Sequence, residues 1–234
     1  MRTFSRIVFG LTGLLSIIGM TMAATLAWGD TPQAVAALGG GLRPDVFDSA
    51  FSRVFNVFCY FTIQSNILIC VISIILFVNP NRTSEVFRTF RIMALGAIII
   101  TGLVYNLILL PANPPQGINL FMNMLLHAVV PVLAIVGWLC WGPRIPFKFS
   151  YILWSLVYGV FWITLTLVRG ALIKWYTYPF VNVDNLGYLH VAINLVVIAV
   201  FFVIVTSLIM WLDKKLPNPL TKEAAAVTDP VAAD

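Results

Sequence analysis

The chain has 234 residues, 60% of them apolar and 10% charged, against about 45–50% and about 25% in soluble domains. A soluble fold of this composition would expose apolar surface on most sides, so the sequence calls for hydrocarbon as its solvent and reads as a polytopic membrane protein. Fourteen Lys and Arg against nine Asp and Glu give a net charge of +5. The basic residues fall between apolar runs rather than in one patch, which argues against nucleic acid as a partner.

A helix needs about 20 mostly apolar residues to cross a bilayer, and six runs qualify: 4–28, 51–78, 92–110, 120–141, 151–173 and 188–212. They are apolar on all sides, without the short alternating segments of a barrel. The first follows Arg2 and Arg6 and has small residues at Ala23-Ala24, like a signal peptide. It is long for a signal core, so it is expected to stay as the first span. Segment 29–50, with Gly39-Gly40-Gly41, then forms an outer loop and a candidate lid. The second run, read as one helix, carries Thr62, Gln64, Ser65 and Asn66 and stops at Asn79-Pro80-Asn81. The third brings Tyr105 and Asn106 near its outer end before Pro111. The fourth holds Asn123 and His127, and Pro131 inside it predicts a kink or a break in its hydrogen-bond ladder. Gly142-Pro143 and Pro146 separate it from the fifth run, which has Arg169 near its end. Trp175, Tyr176 and Tyr178 then read as interfacial anchors. The sixth opens with His190 and Asn194. The expected fold is all-α, a six-helix transmembrane bundle over residues 1–216, with a disordered cytoplasmic tail over 217–234. No internal repeat supports an inverted-repeat transporter.

Counting basic residues orients the bundle. Arg2, Arg6, Arg82, Arg88, Arg91, Arg144, Lys148, Lys214, Lys215 and Lys222 fall on one side, and Arg43, Arg53, Arg169 and Lys174 on the other. The richer side is expected to be cytoplasmic and to hold both termini.

With that topology the intramembrane polar residues share one depth. At 1.5 Å per residue His127 lies about 10 Å, and Thr62 about 16 Å, below the outer surface. Asn119, Asn123 and His127 recur every four residues, and Thr62 pairs with Asn66 and His190 with Asn194 at the same spacing, so each set shares a helix face. Polar groups avoid lipid, so these stripes should turn inward around a polar pocket with an apolar floor, open toward the outer leaflet. Such a pocket suits an amphiphile, a membrane lipid above all.

The inventory limits the chemistry. Cys59, Cys70 and Cys140 sit in apolar runs without metal spacing or an even count for disulfides. One deep histidine and no intramembrane acid make neither a metal site nor a proton-coupled carrier. No phosphate loop or nucleophile elbow appears, and no cofactor is implied. A hydroxyl and an imidazole remain: neutral His127 taking the proton of Thr62 as it attacks an ester carbonyl. With no acidic third member, an Asn or a backbone carbonyl would have to orient the ring.

Tyr60-Phe61-Thr62-Ile63-Gln64-Ser65-Asn66, Leu126-His127-Ala128-Val129-Val130-Pro131 and Trp175-Tyr176-Thr177-Tyr178-Pro179-Phe180 resemble the bacterial six-helix Pr-six-Pr family of integral membrane proteins. More distantly, the same landmarks resemble the androgen-induced and androgen-dependent TFPI-regulating family of membrane threonine hydrolases. That resemblance implies an intramembrane hydrolase of fatty acid esters of hydroxy fatty acids or related lipids, with Thr62 as nucleophile and His127 as base. It places the protein in a bacterial cytoplasmic membrane. Ser65, Asn66, Asn123, Arg169 and Asn194 are the expected substrate-binding residues, with Arg169 facing a free carboxylate or phosphate. The chain departs from the eukaryotic pattern by a His-to-Pro gap one residue shorter and by Arg169-Gly170 in place of histidines late in the fifth helix. The alternative is a non-catalytic lipid-binding or accessory membrane protein using the same pocket, and a transporter comes third.

Overall fold

The computed structural model describes residues 2–29, 47–112, 114–146 and 148–217. Among these, seven helices of ten or more residues follow one another: α1 (Arg2–Gly29), α2 (Ala50–Cys59), α3 (Phe61–Val78), α4 (Glu85–Ala112), α5 (Gly117–Trp141), α6 (Phe149–Ile173) and α7 (Val183–Lys215), the last kinked at Gly187, whose backbone is non-helical (φ 73°, ψ 160°). All but α2 are long and apolar enough to cross a membrane, so the all-α, six-span bundle is the architecture of the molecule. Large apolar side chains such as Phe77, Leu107, Val132, Leu172 and Val197 are exposed along the spans, as a lipid-facing surface requires. The candidate lid glycines Gly39–Gly41 and nearly all of the expected tail lie outside the described residues.

Helix α4 forms the centre. Ile92, Ala94, Ala97 and Ile98 are fully buried in it, and it packs on α3, α5, α6 and α7, while α1 closes the bundle against α3 and α5. Gly102 sets the closest approach of α4 to α5: a methyl group there would stand 3.1 Å from Pro131 Cβ and 3.3 Å from the His127 carbonyl oxygen. An even number of crossings leaves Arg2 and Pro217 on one face of the membrane. There the Arg6 guanidinium reaches the Val78 carbonyl at the end of α3 (3.4 Å), and Arg144 reaches the Pro217 carbonyl (3.1 Å). Buried Asp213 on the same face accepts from Trp138 Nε1 (2.9 Å), Arg144 Nη1 (3.2 Å) and the Ile145 amide (3.2 Å), latching the end of α7 to the α5–α6 turn.

Three features depart from the sequence reading, and each has a backbone cause. The second run is not one helix. Tyr60 is extended (φ −71°, ψ 137°), so the helix stops at Cys59 and restarts at Phe61. Arg53 is buried and caps the end of α1, donating to the Ala27 carbonyl (3.0 Å) and also to the Phe47 and Asp48 carbonyls (3.1 and 2.9 Å). It is thus a structural cap rather than only an orienting charge. Finally, α4 runs past Pro111 to Ala112 because a π-turn over Tyr105–Leu109 precedes it.

A second π-turn, Leu125–Val129, lies at the facing level of α5. Pro131 has no N–H, so the widened turn leaves the Leu126 and His127 carbonyls without their usual helical donors. Asn66 Nδ2 donates to the first (3.2 Å) and Asn106 Nδ2 to the second (2.8 Å). Asn106 is exposed on the side of a membrane-spanning helix, where no water replaces a lost donor, so stripping the partly buried His127 carbonyl of it costs about 1–3 kcal/mol. Replacing Asn106 with Leu, similar in size but without a donor, should therefore lower unfolding stability in mixed micelles by that amount. An unchanged unfolding midpoint would contradict this account of α5.

Candidate functional site

The break at Tyr60 makes residue 62 part of the N-terminus of a membrane-spanning helix. The first amides of a helix have no intrahelical acceptor. Those of Ile63 and Gln64 turn back to the Tyr60 carbonyl (3.1 and 3.2 Å). The Thr62 amide instead donates to the Tyr178 hydroxyl (3.3 Å). On the other side of the break, Trp162 Nε1 donates to the Cys59 carbonyl (3.1 Å) and Gln64 Nε2 to the Phe58 carbonyl (3.2 Å). Tertiary partners thus complete a backbone that lipid could not solvate.

Thr62 Oγ1 stands 3.1 Å from His127 Nε2 and 3.3 Å from Tyr178 Oη. All three side chains are buried. The imidazole is held from two directions: its Nδ1 lies 3.0 Å from the Asn123 carbonyl oxygen, and the Tyr105 ring stacks on it with centroids 3.7 Å apart and planes 16° from parallel. A carbonyl oxygen only accepts, so in the neutral ring Nδ1 carries the proton and the Nε2 lone pair faces Thr62. The remaining donors follow. The Thr62 hydroxyl donates to Nε2, the Tyr178 hydroxyl donates to Thr62 Oγ1, and the Thr62 amide donates to Tyr178 Oη. This one-directional relay leaves the threonine oxygen with a base on one side and a donor on the other.

Thr62 also forms part of the wall of a cavity of about 290 Å³ between α3, α4, α6 and α7. Its lining is largely aromatic and aliphatic, including Phe61, Val104, Trp162, Leu195 and Phe202, and it contains no charged side chain. The polar residues do not form the open ring that their shared depth suggested. They bond to one another and to the backbone, and the hollow beside them is apolar.

Of the residues expected at the site, Thr62 and His127 come together. The other five hold protein groups, and none of them lines the cavity. Ser65 Oγ donates to the Thr62 carbonyl (2.9 Å) and lies 2.8 Å from Thr101 Oγ1. Asn66 Nδ2 donates to the Thr62 carbonyl as well (2.8 Å). Asn123 orients the imidazole through its main-chain carbonyl, while its side chain donates to the Asn119 carbonyl (2.8 Å). Arg169 is half-buried, with its guanidinium carbon 5.7 Å from the Phe47 ring centroid and 5.4 Å from that of Trp175. Asn194 Nδ2 donates to the Phe180 carbonyl (2.9 Å), and His190 is exposed.

Tyr178 is what residue-by-residue reading missed. As one of three aromatics after α6 it looks like a lipid-interface anchor, yet Trp175, Tyr176 and Tyr178 are all buried. Lys174 ends α6 in a left-handed conformation (φ 55°). Tyr176 then lies flat on Gly170, where any Cβ would collide with the ring, and the segment folds back over the bundle. The signals available were Gly170 and the Pro179-Phe180 pair after Tyr178. Among the described residues, no three His, Cys, Asp or Glu side chains gather as metal ligands would.

No protein-family model, curated protein or solved structure matches the chain.

The relay makes two spectroscopic predictions. Nitrogen-15 spectra of selectively labelled protein at neutral pH should show His127 as the Nδ1–H tautomer. Tyr178→Phe should speed hydrogen exchange at the Thr62 amide while leaving the Ile63 amide unchanged. An Nε2–H tautomer, or equal exchange in both proteins, would refute the assignment of donors.

Proposed function

We propose that this protein is an intramembrane lipid-ester hydrolase that uses Thr62 as nucleophile and His127 as general base. The observation that carries the reading is the 3.1 Å contact between Thr62 Oγ1 and the unprotonated nitrogen of an oriented imidazole, within the hydrogen-bond reach that direct proton transfer requires. The apolar cavity at the same hydroxyl supports a lipid substrate, and so does the resemblance to the membrane threonine hydrolases. Fatty acid esters of hydroxy fatty acids or related lipids are the proposed substrates.

In the first half-reaction Thr62 Oγ1 attacks the ester carbonyl carbon and its proton passes to His127 Nε2. The C=O π pair moves onto the carbonyl oxygen. Tyr178 Oη, a neutral donor at physiological pH, turns from Oγ1 to that oxyanion, next to the helix start whose amides bias the site toward negative charge. Collapse expels the alcohol, which takes the proton from Nε2 and leaves an acyl-threonine. Water then adds to the acyl carbon with His127 as base, releasing the fatty acid and restoring the Thr62 hydroxyl. The Asn123 carbonyl, in the place an acid occupies in many triads, fixes the ring and stabilises the transient imidazolium through Nδ1–H.

The basic-residue count supports both termini in the cytoplasm, and the resemblance supports a bacterial cytoplasmic membrane; that orientation puts the dyad in the outer half of the bilayer. Purified protein should release fatty acid from a palmitoyl ester of hydroxystearic acid. Thr62→Ala and His127→Ala should each lower that rate by about 10²–10⁴-fold. Turnover equal to wild type in both variants would overturn the dyad. Saturable lipid binding without turnover, unchanged in Thr62→Val, would assign the site to a lipid receptor instead.

A further inference from the structure

We infer that the cavity between α3, α4, α6 and α7 is a chamber for one hydrocarbon chain, entered sideways from the bilayer between α6 and α7, and that Gly159 keeps it open. The inference builds on the hydrolase reading only in saying which part of the ester fills the chamber; that a chain binds there stands without it. Two observations set the entrance. Val160 on α6 and Val196 on α7 both line the cavity and are both exposed on the outside of the bundle (62% each). Both belong to membrane-spanning helices, so what faces the opening is hydrocarbon. The walls choose the same occupant. They carry no charge, and the hydroxyls on them are few and mostly engaged, with Ser155 Oγ bonded to the Tyr151 carbonyl (2.8 Å) and Thr101 Oγ1 to Ser65 Oγ (2.8 Å). A phosphate or carboxylate head would be desolvated there without a partner. An acyl chain would lose nothing on entry, and at about 290 Å³ the space lies at the small end of ligand cavities, fit for one chain rather than two.

Gly159 is the residue that leaves the room. Ser155, Leu156, Gly159, Trp162 and Ile163 recur at helical spacing along the face of α6 that borders the cavity, and Gly159 stands in the middle of that stripe. A Cβ built there meets nothing within 4 Å. Glycine inside a helix is destabilising by about 1 kcal/mol relative to alanine, and no neighbouring backbone approaches to require it. Its consequence is space beside the chamber. Thr62 reaches the same cavity from α3, so the chain in the chamber is the acyl part of the ester, with its carbonyl at Thr62 and the alcohol part toward the outer leaflet.

The test combines chain-length selectivity with a binding readout. Gly159→Leu and, from the opposite wall, Ala199→Phe are compared with Gly159→Ala in micelles. Palmitoyl and butyryl p-nitrophenyl esters serve as substrates, and a palmitic acid bearing a diazirine near its methyl end serves as photoprobe. Wild type and Gly159→Ala should photolabel on peptides of α6 or α7. The two filling variants should lose that label and lower the palmitoyl rate by about tenfold or more relative to the butyryl rate. Unchanged labelling and unchanged chain-length preference in both filling variants would overturn the chamber and leave the hydrolase reading intact. Labelling that maps to α6 or α7 and is lost in the filling variants, in a protein that hydrolyses neither ester, would uphold the chamber and end the hydrolase reading. Loss of both ester rates in equal proportion, with labelling retained, would count against Gly159 and Ala199 as chamber walls.

Discussion

A helix interrupted among apolar neighbours has to find partners for the backbone groups it frees, and this requirement organises the end of the bundle that carries the break at Tyr60. Tyr60 opens the second crossing, and the released groups are met by side chains from other elements: Tyr178 for the Thr62 amide, Trp162 for the Cys59 carbonyl, Gln64 for the Phe58 carbonyl. Two of these partners also do a second thing. Tyr178 touches the Thr62 hydroxyl, and Trp162 walls the cavity. The structure that closes the break is also the structure that surrounds the reactive oxygen. Without water to solvate stray amides and carbonyls, the break cannot exist apart from the loop and helix that complete it.

The fourth and fifth helices solve the same problem differently. Paired π-turns at one depth, with Pro131 just beyond, free two carbonyls on the His127 turn, and Asn66 and Asn106 donate to them. Widening the turn changes the register of the helix face, while Gly102 lets the two helices approach closely enough for Asn106 to span them. The imidazole is then fixed by the Asn123 carbonyl, the Tyr105 ring and the threonine hydroxyl at once. A buried polar network of this kind holds one geometry because every alternative strands a donor or acceptor in a low-dielectric surrounding. The asparagines that look like ligands in a list of intramembrane polar residues are the scaffold of the site.

The polar core and the apolar chamber sit side by side and share Thr62. Their separation follows from the same energetics: hydrogen-bonded polar groups such as Ser65, the Asn66 amide nitrogen and His127 collect on the α3–α5 side, and the space left toward α6 and α7 is lined mostly by rings and aliphatic chains. At the opposite end, Asp213 holds Arg144 and Trp138 in a latch remote from the dyad, so the two faces of the bundle are fastened by different means.

The number of crossings and the all-α class were legible in the sequence, because hydrophobic length acts on each segment locally; Thr62 and His127 were singled out by the polar inventory and by the resemblance, and their 3.1 Å contact is a product of the packed helices. The break in the hydrogen-bond ladder expected from Pro131 is found in that helix, as the π-turn that ends just before it. The break at Tyr60 was not legible, since the apolar pattern runs through it unaltered and the partners that stabilise it lie about a hundred residues away. Nor was the role of Tyr178, which needed the fold-back over Gly170, or the placement of Arg169 against two aromatic rings rather than beside the dyad. Sequence sets which groups must find partners in the membrane; which partners they find is a property of helices packed together, because a hydrogen bond is made by distance and direction and neither is encoded in a single segment.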